Sequence, residues 1–326
     1  MQNLTRLIKK INNFWIKSQS PTKKLTNIKR IDAFLILFIC VIISIITSYE
    51  LVTKPIQNFH FIIPVTINFL EILICTGVLV YISKKEDPTI NSRQIFLLIG
   101  LLLITQILKV NFKTISPLSI IVPPTLIISQ GISKITALSW VSIALINWPN
   151  SENGMNEYLL LITFISSCIV AILGEKIRSR AQLLQVSIFV PIGAFIGQYL
   201  LLGINNNDLY NFNIQNLISK HGNIISDSFL LATLILLAII FMPILESIFG
   251  LVTKARLLEL ADQEKPLLRR LSIEAPGTYE HTLLLCGLAE EATRMIGGNV
   301  DLVRAGALYH DIGELHAPNW FIENQN

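Results

Sequence analysis

Long apolar runs separated by short polar segments fill most of the chain. Membrane helices need about 20 largely apolar residues, with about 17 as a minimum. Pro123 and Pro124 predict a break in the middle of the fourth run. The fourth and fifth runs nearly abut, so they are either two tight spans or one broken re-entrant pair. The pattern predicts eight candidate runs, which are approximately Ile31–Tyr49, Phe61–Ile82, Ile95–Val110, Ile115–Gln130, Ile132–Trp148, Tyr158–Gly174, Leu183–Gly203 and Ser228–Phe249.

The composition supports a multi-pass membrane protein. Of the 326 residues, 52% are hydrophobic and only 15% are charged, and the mean hydropathy is +0.58. Soluble domains carry about 25% charged residues. The four cysteines form no CxxC pair, which argues against a disulfide framework or a zinc knuckle. We therefore predict an all-α protein whose membrane domain covers residues 31–249, with about eight spans.

Basic residues predict the orientation of these spans. Residues 1–30 form a basic segment, and with eight spans the loops on the same side hold seven lysines and arginines, whereas the opposite loops hold four. Both termini are therefore expected on the cytoplasmic side of a bacterial inner membrane, or on the stromal side of a plastid membrane. Because the basic residues follow the lipid bilayer, we expect no DNA or RNA partner.

Two features within the spans have alternative explanations. Glu71 lies near the middle of the second run. It is either an ion or ligand site, or a protonated side chain that is hydrogen-bonded to a neighbouring helix, and the second explanation is favoured. Gly193 and Gly197 form a GxxxG pattern in the seventh run, which by default indicates helix packing.

Beyond Phe249 the sequence mixes charge with apolar periodicity, as in soluble helices. Lys254 to Lys265 is predicted to be a linker helix that Pro266 stops, within a linker of residues 250–272. Thr278 is a plausible N-cap after the turn APGT. The next helix is expected to end at Gly297-Gly298, and another to begin near Val300. Their predicted apolar faces are Leu284, Leu288, Ala292 and Met295, and then Leu302, Ala305, Tyr309 and Ile312.

His310 and Asp311 come at the end of the second of these helices. Neutral imidazole suits Mn, Fe or Zn, and a carboxylate can bridge two metals. His281 lies on the preceding helix, and its ring can reach His310 if the two helices pack antiparallel. On spacing alone, a lone His-Asp pair is more often an ordinary hydrogen-bonded helix end than a metal site.

Four stretches together resemble a known family. "PILESIFGLVT", "LSIEAPGTYEHT", "AGALYHDIGEL" and "FIENQ" occur in this order between Pro243 and Gln325. They resemble the seven-transmembrane HD-family phosphohydrolases, and more closely those that hydrolyse cyclic di-AMP to a linear dinucleotide. The resemblance covers motifs in the C-terminal part and only the architecture in the spans.

The resemblance implies a function and a set of site residues. It implies that His281, His310 and Asp311 are metal ligands, with Asp311 as the catalytic bridging carboxylate. It also implies a divalent metal cofactor such as Mn or Fe, and a cyclic di-AMP-like nucleotide as the substrate. Residues 273–326 would be the N-terminal part of a helical HD domain.

This sequence differs from the family pattern at three points, and each difference affects the function that we expect. The family's further histidines and closing aspartate follow the FIENQ stretch, where this sequence has only Asn326, so we expect a truncated HD domain. Glu314 stands where the family usually has lysine. Residues Glu50 to His60 leave no room for the family's extracytoplasmic sensor domain.

Three hypotheses follow. The first is a phosphodiesterase that takes its missing metal ligands from elsewhere, such as a split gene, a readthrough or a partner chain with the rest of the HD domain. Another copy of this chain is also an expected partner. Without the missing ligands we expect no cofactor. The second is a non-enzymatic membrane protein or a remnant of the family. The third is a small transporter or channel, suggested by Glu71 and the broken fourth run.

Overall fold

The structure is a computed structural model that describes residues 62–87, 90–111, 115–148, 157–206 and 214–325, and the isolated positions 38, 39, 41, 42 and 45. The basic segment 1–30 and, apart from those positions, the first predicted span lie outside the described residues. The described residues are helical and contain no strand. This agrees with the all-α prediction.

Seven helices within the described ranges form the membrane bundle. They match the second to eighth predicted runs one by one. Four of them contain a segment long and apolar enough to cross a membrane. The protein is therefore an integral membrane protein. The helices are α1 (Ile62–Glu86), α2 (Ser92–Asn111), α3 (Pro117–Gly131), α4 (Lys134–Ile146), α5 (Glu157–Lys176), α6 (Arg180–Asn206) and α7 (Ile214–Phe249).

Helix α3 is the centre of the bundle. Twelve of its fifteen residues are buried, and it packs against α4, α5 and α7. The predicted break at Pro123 and Pro124 is wrong, because α3 runs through both prolines as one helix. Neighbouring helices surround it, and the Thr125 hydroxyl donates a hydrogen bond to the Ile121 carbonyl at 2.8 Å. At about 1.5 Å per residue, α3 is roughly 22 Å long, shorter than the bilayer core.

Small side chains set the closest helix approach. A Cβ atom on Gly174 of α5 would lie 2.1 Å from the Ser129 Oγ of α3. By contrast, a Cβ atom on Gly193 would have no neighbour within 4 Å, whereas one on Gly197 would lie 3.8 Å from Ile162 of α5. The GxxxG pattern therefore packs against another helix at Gly197 but not at Gly193. The bundle core that surrounds α3 consists of Leu118, Val122, Leu126, Ile162, Val170, Leu183, Val186, Val190, Ala194, Leu231, Ile235 and Ile239.

Several helix ends meet at one end of the bundle. Lys134, at the start of α4, forms an ion pair of 2.9 Å with Glu175 near the end of α5. The side-chain amide of Gln94, near the start of α2, donates to the carbonyl of Gly250, just after α7, at 3.2 Å. The chain leaves the bundle at this end.

Four further helices follow the bundle. Pro266 begins α9 at its first turn, so the predicted linker helix is shorter than expected and a second helix follows it. Ala261, Leu268, Cys286 and Leu308 form a small core among them. The helices are α8 (Lys254–Leu260), α9 (Pro266–Glu274), α10 (Pro276–Met295) and α11 (Val300–Tyr309), with 3₁₀ turns at Ile312–His316, Pro318–Trp320 and Ile322–Asn324.

Candidate metal centre

His281, His310 and Asp311 lie together on the surface beside the end of α11. One ligand atom from each side chain lies within 4.8 Å of the others. The Asp311 Oδ2 atom is 2.8 Å from His310 Nε2 and 4.0 Å from His281 Nε2. The two imidazole rings have their centroids 6.0 Å apart. The structure thus brings all three predicted site residues together.

An antiparallel pair of helices brings the residues together. His281 lies near the start of α10, and His310 follows the end of α11. Between these helices, α10 ends at Gly297, whose φ of 70° suits glycine. The side chain of Asn299 then caps α11 by accepting from the amide of Leu302 at 3.1 Å. The predicted end of α10 and the predicted start of α11 are both confirmed.

A buried thiol lies between the same two helices, away from the site. The Cys286 Sγ atom is 3.8 Å from the Arg304 carbonyl oxygen of α11. Burial, and next the hydrogen bond with Glu290, raise the pKa of the Cys286 thiol. It therefore stays protonated and acts as a packing residue rather than a metal ligand.

The hydrogen bonds of His310 favour metal binding. Its Nδ1 atom lies 2.7 Å from the carbonyl oxygen of Ala307, one turn back in α11. When Nδ1 donates this bond, the lone pair of Nε2 is free for a cation. All three side chains are partly exposed, so solvent and a ligand can reach them.

The donor set fits a divalent cation. Two neutral imidazoles and a carboxylate suit Mn, Fe or Zn. Ligand atoms at about 2.0–2.2 Å from a metal are at most about 4 Å apart from each other. The separations in the structure are 2.8 Å and 4.0 Å for the Asp311 pairs, so small side-chain rotations suffice.

A network that the sequence did not indicate supports this site. Thr278 is fully buried, and its hydroxyl donates to Glu314 Oε2 at 2.7 Å. The Asn324 amide donates to the same hydroxyl at 2.7 Å, and Asn324 Oδ1 accepts from the Thr278 backbone amide at 3.1 Å. The predicted N-cap role of Thr278 is wrong, because α10 already begins at Pro276. The sequence signal that could have indicated this hydrogen-bond network is the joint presence of the APGT, GEL and FIENQ stretches.

Glycine makes this network possible. A Cβ atom on Gly277 would lie 1.8 Å from the Glu323 carbonyl oxygen. Only glycine lets the FIENQ stretch pack this closely on the first turn of α10. This packing accompanies the hydrogen bond between the Glu314 carboxylate and Thr278.

The predicted apolar face of α10 is exposed. Leu284 and Leu288 are each 73% exposed. The residues of α10 that are buried are Thr278, Thr282 and Cys286. Periodicity located an apolar stripe correctly, but another side of the helix packs against α9 and α11.

Other predicted polar residues stand apart from the site. His316 is exposed and does not join the cluster among the described residues. Glu71 is exposed on α1, which differs from the favoured picture of a carboxyl bonded to a neighbouring helix. Because α3 is continuous and Glu71 is exposed, neither of the two features that suggested a transporter supports that hypothesis.

Two families match this chain. Residues 62–253 match the family described as 7TM receptor with intracellular HD hydrolase. Residues 278–326 match the HD domain, and this range contains the candidate metal centre. No solved structure matches the chain.

Three relatives cover different parts of the chain. The cyclic-di-AMP phosphodiesterase PgpH of Listeria monocytogenes is 29% identical over 75% of this chain and 35% of its own length. Its Bacillus subtilis namesake is 29% identical over 84% of this chain and 40% of its own length. An uncharacterized Synechocystis protein is 57% identical over 26% of this chain and 10% of its own length. The chain therefore spans at most two fifths of the length of these relatives.

Proposed function

Because the chain belongs to the family of 7TM receptors with an intracellular HD hydrolase, we propose that it acts as a membrane-anchored, metal-dependent phosphodiesterase of cyclic dinucleotides. The two relatives that carry the name cyclic-di-AMP phosphodiesterase support a substrate of the cyclic di-AMP type. Residues 31–249 are the proposed membrane domain, 250–272 the linker, and 273–326 the first part of the HD domain.

One observation carries the proposal. Two histidines and an aspartate from α10 and the end of α11 converge within 4.8 Å, inside the range that matches the HD domain. When His310 Nδ1 donates to Ala307, the lone pair of Nε2 faces the Asp311 carboxylate at 2.8 Å, so both can bind one cation. A hydrogen-bonded helix end explains the His310-Asp311 pair alone, but it gives no reason for His281 to join the pair.

Each residue has a proposed role. His281 and His310 supply one neutral nitrogen each, and Asp311 supplies the negative charge and the shared carboxylate. A divalent cation held here would polarise a phosphate oxygen and make a bound water more acidic. The resemblance implies further ligands on later helices of an HD domain. Such ligands would complete the centre in the proposed enzyme.

We also propose that both termini of the chain face the cytoplasm, or the stroma in a plastid. The ion pair of Lys134 and the side chains of Arg178 and Arg180 lie at the end of the bundle from which α8 leads to the site. Basic residues concentrate on the cytoplasmic side of membrane proteins. The metal site would then face the compartment that holds nucleotides.

Metal binding tests the proposal directly. The full chain, purified in detergent, is titrated with Mn²⁺, and the bound metal is measured by calorimetry and by elemental analysis. We expect saturable binding that falls at least tenfold in H281A, H310A and D311N. His316→Ala is the matched control, because His316 is an exposed histidine outside the cluster.

Hydrolysis separates the enzyme from its alternative. Membranes that contain the chain are incubated with cyclic di-AMP and Mn²⁺, with and without a polypeptide that supplies the rest of the HD domain. Appearance of the linear dinucleotide, lost in D311N, supports the enzyme. Metal binding without hydrolysis in both samples favours the non-enzymatic alternative, and equal Mn²⁺ affinity in all variants rejects the metal site.

A further inference from the structure

A cluster of charged and polar residues joins the bundle to α8. We call Arg180, Glu246, Thr253 and Glu259 the junction cluster. Arg180, the first residue of α6, donates through Nε and Nη2 to the two carboxylate oxygens of Glu259 on α8, the second bond at 3.2 Å. The same guanidinium lies 3.6 Å from Glu246 of α7. A bidentate hydrogen bond of this kind fixes the orientation of the two side chains as well as their distance.

The junction cluster is partly withdrawn from water. Glu246 is only 7% exposed, and its Oε1 accepts from the Thr253 hydroxyl at 2.6 Å. The same Thr253 oxygen caps α8 by accepting from the Arg256 amide at 3.1 Å. Removing Arg180 would leave a buried carboxylate without its cation, which is a costly arrangement. The cluster therefore holds the start of α8 firmly against α6 and α7.

The end of α8 contacts the helix that leads to the metal centre. The Tyr309 hydroxyl donates to the carbonyl of Leu260, the last residue of α8, at 2.9 Å. Tyr309 directly precedes His310. At the other end of α11, Asp301 is buried and its carboxylate lies 3.8 Å from Arg178, two residues before α6. Both ends of α11 are thus linked to the cytoplasmic end of α6.

A cavity of about 190 Å³ lies beside the start of α8. It is lined by Ser129, Gln130 and Glu175 of the bundle and by residues of 252–257. Helix α11 is linked at its start to Arg178, just before α6, and at its end to Leu260 of α8. A shift of α6 and α8 would therefore act directly on α11, and so on His310 and Asp311 at its end.

We propose that Arg180 and Tyr309 are positioning residues that couple the membrane bundle to the affinity of the metal centre. The inference rests on the proposed metal site. Movement of α6 passes through the bond between Arg180 and Glu259 to α8, and through the bond between Leu260 and Tyr309 to the ligand pair. Because coupling between sites is reciprocal, metal binding must in turn stabilise the junction cluster.

Metal affinity tests the coupling. Mn²⁺ dissociation constants are compared for the full wild-type chain, R180M and Tyr309→Phe. Loss of a residue that orients metal ligands typically weakens metal binding by about 10–100-fold. We expect a decrease of about tenfold for Tyr309→Phe and somewhat less for R180M, which acts at one further step. Arg270→Gln is the control, since Arg270 pairs with Glu274 on the surface of α9.

A second measurement excludes a purely structural effect. Amide hydrogen exchange in residues 254–261 is followed with and without saturating Mn²⁺. We expect Mn²⁺ to slow exchange in the wild type and in R270Q, and to have no such effect in Tyr309→Phe even when the metal site of that variant is saturated.

The outcomes are distinguishable. If the wild type binds Mn²⁺ but R180M and Tyr309→Phe bind it equally well, the coupling is rejected and the metal site stands. The same holds if Mn²⁺ leaves exchange at α8 unchanged in the wild type. If the wild type binds no Mn²⁺, both the proposed metal site and the proposed coupling are rejected. If R180M does not fold, Tyr309→Phe decides alone.

Discussion

The membrane bundle and helix α10 both expose large apolar side chains, but for different reasons. Ile240 of α7 is 60% exposed and lies in a 26-residue apolar segment that is long enough to cross a membrane. Leu284 of α10 is 73% exposed, yet its helix also carries Glu280, Glu291 and other charged residues. Lipid solvates the apolar outer face of the bundle favourably, whereas water solvates the apolar stripe of α10 unfavourably. An exposed leucine must therefore be judged with the length and charge of its helix.

A charge placed on each face gives the largest expected difference. Ile240→Asp should destabilise the protein by about 3 kcal/mol, the cost of an aspartate in a membrane helix. Leu284→Asp should change stability by less than about 0.5 kcal/mol, as for an ordinary surface site. Insertion into native membranes and thermal unfolding in one detergent measure both variants. An equal loss in the two would show that Leu284 is covered in the folded protein.

The next largest difference in stability is expected between two glycines at close contacts, one at the start of α10 and one in the bundle. Gly277→Ala should cost about 2 kcal/mol, because a Cβ atom would collide with the rigid backbone carbonyl of Glu323. Gly174→Ala in the bundle should cost less, because its neighbour is the Ser129 hydroxyl, which can rotate. Thermal unfolding of both variants checks the order.

A control for this pair lies in the same helix as Gly277. Gly287 has no neighbour within 4 Å, so Gly287→Ala should stabilise α10 by about 0.5–1 kcal/mol. If Gly277→Ala stabilised the protein as Gly287→Ala does, the close packing of FIENQ on α10 would be wrong.

Threonine hydroxyls also differ between the two regions. Thr125 donates to a carbonyl of its own helix, whereas Thr278 links Glu314 and Asn324 from separate segments. Thr278→Val should cost about 1–2 kcal/mol, because it leaves two polar groups without their partner. Thr125→Val should cost under about 0.5 kcal/mol. Chemical unfolding measures both, and a larger loss for Thr125→Val would reverse the comparison.

The smallest effect concerns pH. The hydrogen bond from Arg180 lowers the pKa of Glu259. A lowered pKa stabilises the junction above the ordinary glutamate pKa, and this contribution is lost as pH falls through the lowered value. Since the Glu259 side chain is 34% exposed, water screens the pair and we expect less than about 1 kcal/mol. Unfolding between neutral pH and pH 3 should show this loss in the wild type and a weaker one in Glu259→Gln.

The sequence predicted helix positions better than helix partners. The seven predicted runs within the described residues each became a helix, because an apolar backbone segment in a membrane satisfies its hydrogen bonds within a helix. Gly297 correctly marked the end of α10. The stripe of Leu284 and Leu288 was found, but periodicity cannot tell which side of a helix has a neighbour.

At the candidate site too, the sequence predicts which residues are involved better than it predicts their contacts. His281, His310 and Asp311 were selected from residue type, spacing and resemblance, and the structure places them together. The hydrogen bonds of Thr278 with Glu314 and Asn324 join residues 36 and 46 positions apart. No local pattern predicts such a bond, since it depends on how the segments pack in three dimensions.

The bond between Arg180 and Glu259 also has a consequence for biosynthesis. The two residues are 79 positions apart, and all of α7 is made between them. Glu259 leaves the ribosome only later, so α6 enters the membrane before Arg180 can meet this partner. In the orientation proposed above, the charge of Arg180 would keep its end of α6 on the cytoplasmic side during that time. The same arginine would thus serve first as a topology signal and afterwards as a structural partner.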